Sequence, residues 1–176
     1  MSFIKIKEQF LRKKFKKALK LESETRVSTA NKIHSVGILT TDEISSRIDI
    51  VQYIHDVLKI SRNVHIYSYR KFDKTDKASY KHFTENDMNW QGVITDTSLK
   101  VFLETPFDLC IGLFDTKQLY LEFAALKSKA TFKVGFSGVN DKIFDLVIAE
   151  KSENVLSFMN EIYKYLDLLK KMETKV

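Results

Sequence analysis

The sequence predicts an α/β protein: an open, mostly parallel sheet of five or six strands with helices on both faces, Rossmann- or flavodoxin-like, preceded by a basic amphipathic helix. Three observations predict it. Short β-branched runs alternate with helix-period segments from residue 34 onward, the pattern of βαβ units and hence of a right-handed parallel sheet. One of those runs, FDLCIGLF at 107–114, is apolar almost throughout, as a strand covered on both faces must be. Finally, 176 residues that are 44% apolar and 12% aromatic, with five Gly and one Pro, suit one element-rich domain with a sizeable core.

The first element is FIKIKEQFLRKKFKKALK, residues 3–20, with eight cationic side chains against one anionic, Glu8. On a helical wheel Ile4, Leu11, Phe15, Ala18 and Leu19 share one side, flanked by Phe3, Ile6 and Phe10, while Lys5, Arg12, Lys13, Lys16 and Lys20 take the other. The chain totals 29 basic and 23 acidic residues, so residues 21–176 hold 21 and 22. The body is close to neutral, and residues 1–20 carry the excess charge. Three parts are therefore expected: an arm at 1–20, a polar connection at 21–32 (LESETRVSTANK), and one α/β domain at 33–176.

HSVGILTT (34–41) reads as a buried strand. Thr40, with Glu43 three residues on, forms a capping box for a helix that runs to about Lys59, with Ile44, Ile48, Val51, Ile54 and Leu58 on its apolar stripe. NVHIYSYR (63–70) alternates as a strand. Residues 71–89 are polar and predict a loop with at most a short helix; NWQGVITD suggests a weak strand. Pro106 can precede but not continue the central strand at 107–114. KQLYLEFAALKSKA predicts a helix apolar over most of its circumference. TFKVGF (131–136) and FDLVIAE (144–150) follow as strands. ENVLSFMNEIYKYLDLLKKM closes as a helix burying Val155, Met159, Ile162, Leu166 and Leu169.

FDLCIGLF, the helix after it, ATFKVGFSG and FDLVIAE together resemble an uncharacterised family of small cytoplasmic α/β proteins from Bacteroidetes, whose basic N-terminal segment precedes a VGIL-type strand. That resemblance implies the fold and carries no function with it. The stretch Asp108–Gly135 is also similar to one βαβ unit in the acceptor lobe of heptosyltransferase-like glycosyltransferases. That similarity implies at most a single ligand-binding lobe, since such enzymes hold the donor nucleotide between two.

Apolar runs of about half a dozen residues fall far short of the roughly 20 that span a bilayer, and the leading segment carries lysines where a signal peptide needs an apolar core. With Cys110 as the one cysteine, no internal disulfide can form, and a cytoplasmic location is expected. Cys110 belongs in the core, where a thiol is inert. His34, His55, His65 and His82 have no metal-site spacing; no metal and no cofactor is expected. There is no G-x-S-x-G elbow and no glycine-rich phosphate loop, so the protein is read as a non-enzyme.

Two minor sites stay open. Ligands of open α/β sheets bind beyond the strand carboxyl ends, which nominates Thr40, Thr41, Ser68, Asp115 and Ser137 for a small-ligand site; helix capping and strand-end solvation are the simpler reading. Arg70, Lys71, Lys77 and Lys81 with Tyr80 form a basic and aromatic patch able to stack on unpaired bases, unless its aromatics fold back on the sheet edge. The arm itself has three readings. Its cations Lys5, Arg12, Lys13, Lys16, Lys17 and Lys20 meet RNA, with the ribosome or another structured RNA as partner; or they lie on an anionic membrane; or the arm is an outer helix of the fold. In each case its apolar stripe must be covered, by the domain or by a protein partner.

Overall fold

A computed structural model describes residues 3–25, 32–75 and 81–172. Six strands form one sheet, all parallel: β1 (Val36–Thr41), β2 (Val64–Tyr69), β3 (His82–Phe83), β4 (Leu109–Leu113), β5 (Lys133–Phe136) and β6 (Leu146–Ile148). Their order is β3-β2-β1-β4-β5-β6, the doubly wound order in which the chain reverses its direction of travel between β1 and β4. Helices α1 (Phe3–Thr25), α4 (Thr97–Glu104) and α5 (Leu119–Lys127) cover one face. On the other lie α2 (Asp42–Arg47), α3 (Ile50–Tyr53), a π-helical turn (Ile54–Leu58) and α6 (Val155–Leu168).

The period of two in the strands divides the core between the faces. Leu109, Ile111 and Leu113 of β4 point toward α6, and Cys110 points toward α5. Cys110 is buried, as its place in the most apolar run requires. Asp108 pins the amino end of β4 to β1 by accepting from the Ser35 N–H at 2.9 Å and the Ser35 hydroxyl at 2.8 Å. Asp145 does the same for β5, accepting from the Lys133 N–H at 2.7 Å. Both carboxylates serve the amino ends of their strands, opposite the carboxyl edge of the sheet.

Several boundaries differ from the sequence reading, each for a local reason. The helix expected to run from a Thr40 cap to about Lys59 breaks after Arg47: Ile48 is extended, and Asp49 restarts the chain by accepting from the Gln52 N–H at 3.0 Å. The break moves the buried stripe to Ile44, Ile50, Ile54 and Leu58, leaving Val51 exposed. The cap of α2 is Thr41, which accepts from Ile44 N at 3.3 Å; Thr40 is still in β1, paired with Ser68 and Leu113. Helix α4 was absent from the sequence reading, although Asp96 caps it (Leu99 N to Oδ1, 2.6 Å) and Leu99, Phe102 and Leu103 are buried at helical spacing. The described residues of 71–89 contribute β3 and a 3-10 turn at Glu85–Asp87, and NWQGVITD joins one isolated bridge, Met88 to Ile94. Leu169 is exposed because α6 stops at Leu168. Helix α1 continues to Thr25, through the first five residues of the segment read as a connection.

Candidate functional site

Helix α1 is built into the domain. Leu11, Phe15 and Leu19 recur at helical spacing and are buried in the same core as α5, with Phe15 against Phe123 at 5.9 Å between ring centroids. Two lysines fasten the helix near its ends. Lys7 Nζ donates to the backbone carbonyl of Glu85 and lies 5.8 Å over the Tyr120 ring. Near the other end Lys133 of β5, only 1% exposed, donates to Glu22 Oε1 at 3.1 Å and to the Leu126 carbonyl at 3.0 Å. A lysine buried that deeply needs such partners, because an unpaired ammonium in the interior is costly. Burial lowers the Lys7 pKa, against the opposing pull of Glu85 and Asp87.

The outward surface of α1 is cationic. Lys5, Arg12, Lys13, Lys14, Lys16, Lys17 and Lys20 are all exposed. Among the described residues no salt bridge engages Lys5, Arg12, Lys13, Lys14, Lys16 or Lys17. Beside them Phe10 (49% exposed) meets Trp90 (53%) edge to face at 6.1 Å. Trp90 comes from the loop before α4, so this aromatic pair on a cationic helix has no counterpart in any contiguous stretch of sequence.

The basic and aromatic patch divides. Arg70 is partly buried, Lys71 and Lys81 are exposed, and Lys77 and Tyr80 lie outside the described residues. Of the neighbouring aromatics, Tyr67 and Phe83 are core, and Tyr69 stacks on Tyr120 with centroids 5.7 Å apart. Folding back onto the sheet therefore accounts for most of the described rings, while Phe72 and Trp90 are exposed.

Four of the five small-ligand residues are hydrogen-bonded within the fold, and Ser68 also lines a cleft of ≈ 700 Å³. The Thr40 hydroxyl donates to the Leu113 carbonyl at 2.9 Å across the reversal point. Thr41 caps α2, and Ser68 donates to Ser45 Oγ at 2.9 Å. Asp115 accepts from the Ser152 N–H at 2.9 Å, and only Ser137 is both polar and exposed. Gly138 closes the floor: a Cβ placed there would sit 2.2 Å from the Asp115 carbonyl oxygen. Gly138→Ala is accordingly expected to cost about 1–3 kcal/mol, the usual price of overpacking, read as a lowered urea midpoint at unchanged m-value.

A polar cluster missed by sequence reasoning sits under the start of α1. The Tyr69 hydroxyl donates to Glu85 Oε2 at 3.3 Å, which also accepts from the Phe72 N–H at 3.0 Å. Burial pushes the Tyr120 phenol up to about 12, helped by Glu8 and Glu85, and pushes Tyr69 higher still with help from Glu85. Glu122 is raised by burial while accepting from the Asn140 N–H at 3.1 Å. Phenols so perturbed stay protonated at neutral pH and make poor bases, so the cluster reads as a packed polar seam in which Tyr69 and Glu85 are hydrogen-bonded while the Tyr120 hydroxyl is buried without a hydrogen-bond partner. Its members run from Tyr69 to Asn140, and no local motif announces them.

Two clefts open on the described surface. One of ≈ 450 Å³ lies between α2 and the start of α6, with Arg47, Tyr53 and Ser157 on its walls. The larger, ≈ 700 Å³, runs along β2 between α2–α3 and α4. Among the described residues no helix is long and apolar enough to cross a membrane.

No curated protein and no solved structure matches the chain. The sequence profile of DUF6913, described as a family of unknown function, matches residues 7–169, which takes in nearly all of α1, the whole sheet and α6. The chain belongs to that family.

Proposed function

We propose that this chain is a non-catalytic, cytoplasmic binding protein that holds a polyanion on the outer face of α1, with ribosomal or other structured RNA as the partner. One observation carries the reading: the apolar stripe of α1 is spent on the core while Lys5, Arg12, Lys13, Lys16, Lys17 and Lys20 stay exposed. Holding the helix on a rigid body presents these charges as a fixed array rather than a flexible tail. Each neutralised phosphate then releases counterions and favours the complex. A mostly lysine array supplies point charges without the planar fork of Arg, so recognition follows charge and shape more than base sequence. Phe10 and Trp90 at its margin offer a surface on which an unpaired base can stack.

Membrane attachment is the weaker reading, because the residues that would insert, Leu11, Phe15 and Leu19, face the protein. A covering protein partner for that stripe is likewise unnecessary. A single nucleotide- or sugar-nucleotide-binding lobe draws support from the strand order but meets a reversal point closed by Thr40, Asp115 and Gly138.

Co-sedimentation with purified ribosomes across a salt series tests the RNA reading. A binder making about six to ten phosphate contacts loses roughly 10³–10⁵ in affinity between 50 and 200 mM salt. Failure to pellet at the lowest salt, with flotation on anionic liposomes instead, would transfer the cationic face to a membrane.

A further inference from the structure

The cations of α1 divide into two groups around the helix. At about 3.6 residues per turn, Lys5, Arg12 and Lys16 fall within roughly 40° of one another on one shoulder. Phe10, Lys13, Lys14 and Lys17 stand instead at i, i+3, i+4 and i+7, which makes them one contiguous stripe. Its centre is turned roughly 150° from the buried stripe of Leu11, Phe15 and Leu19, so it is the outermost strip of the helix. From Phe10 to Lys17 it runs about 10 Å at ~1.5 Å per residue. All four side chains are exposed, Phe10 to 49%. Among the described residues no carboxylate pairs with Lys13, Lys14 or Lys17.

The phenyl ring in line with three lysines decides between two kinds of polyanion. An A-form duplex keeps its bases stacked inside and its deep major groove closed to side chains, so a convex helix laid on it meets phosphates and riboses. A phenyl ring among the lysines would then face charged groups and gain nothing. An unpaired strand gives the same ring a partner, because every base has a π-face, and stacking on an aromatic side chain strengthens binding by roughly five- to a hundredfold per base. Trp90 stands perpendicular to Phe10, with 89° between the ring planes. The two rings therefore do not cover each other face to face. Nothing is asked of the indole as a ligand surface: it packs beside Phe10 and, as the one tryptophan of the chain, reports on it.

We infer that the RNA held by α1 is unpaired where it touches the protein: a loop, bulge or strand end whose phosphates lie along Lys13, Lys14 and Lys17 and one of whose bases stacks on Phe10. The inference rests on the polyanion reading of α1 and names the substrate class of that site. A continuous duplex is then the poorer ligand, although its charge is the denser.

The test titrates the full chain at low salt with an unstructured RNA dodecamer and with the blunt duplex that this strand forms with its complement. Anisotropy of labelled RNA gives affinity, and unlabelled RNA is followed by Trp90 emission. Charge density alone favours the duplex, so tighter binding of the single strand reads stacking. The expected result is that preference, with Trp90 emission quenched by the strand and not by the duplex. Phe10→Leu keeps an apolar side chain beside Trp90 and should weaken strand binding about fivefold or more while leaving duplex binding unchanged; Phe10→Tyr should restore it. Duplex binding as tight as strand binding overturns the inference and leaves the polyanion reading in place. Strand binding that survives Phe10→Leu, or that leaves Trp90 emission unchanged, does the same. Binding to neither RNA at the lowest salt overturns both.

Discussion

Phe15→Ala is expected to lower the unfolding free energy of the whole protein by about 3–5 kcal/mol, the range for truncating a buried aromatic. Phe15 sits against Phe123 in the core that also contains Leu11, Leu19, Phe102 and Phe114. That ring is therefore a structural member of the domain. Urea unfolding followed by near-ultraviolet circular dichroism should show a single transition at a lower midpoint. If the helix were an appended arm, the variant would instead lose helical signal while the core midpoint stayed in place. Lys13→Gln, on the exposed side, should move the midpoint by no more than about 0.5 kcal/mol. The same packing makes deletion of residues 1–20 an unsuitable probe of binding, because it uncovers Phe123 and removes Lys7 from Glu85.

The contrast between Phe15 and Trp90 marks how far sequence reasoning reaches. The amphipathic period of residues 3–20 is a local property, and it correctly separated Leu11, Phe15 and Leu19 from the lysines, whereas Ile4, expected on the same side, is 47% exposed in the first turn. The parallel strands were legible for the same reason, since β4 and β5 carry their burial in their own composition. Lys133 defeats that logic. It lies inside an apolar strand, and its partners Glu22 and Leu126 come from two helices, one of them 111 positions away. Helix α4 was obscured because polar residues precede it and its eight residues make barely two turns; the Asp96 cap was present to be read. Thr40 and Thr41 are adjacent threonines, and only the pairing of β1 with β2 through Tyr69 decides that the second one caps. The aromatic pair and the β2 groove are products of tertiary arrangement, so no window of sequence contains them.

Replacing Lys13, Lys16 and Lys17 together by Gln is expected to reduce ribosome affinity by about 10²-fold at low salt. The figure follows from roughly 1 kcal/mol for each exposed charge pair in a high dielectric, three of which amount to about two powers of ten. The slope of log affinity against log salt should flatten by about two to three, because each lost phosphate contact removes one released counterion. Stability should hardly change, since all three side chains are exposed and none forms a salt bridge among the described residues. The two effects separate function from folding: Phe15→Ala acts on the helix's inner face and should alter stability, whereas the lysine variant acts on its outer face and should alter binding alone. An Arg version of the same three positions retains the charge and should restore the salt slope. If it restored affinity while the Gln variant left the slope untouched, the contacts would be hydrogen bonds to a specific surface rather than neutralised phosphates, and the polyanion reading would fail.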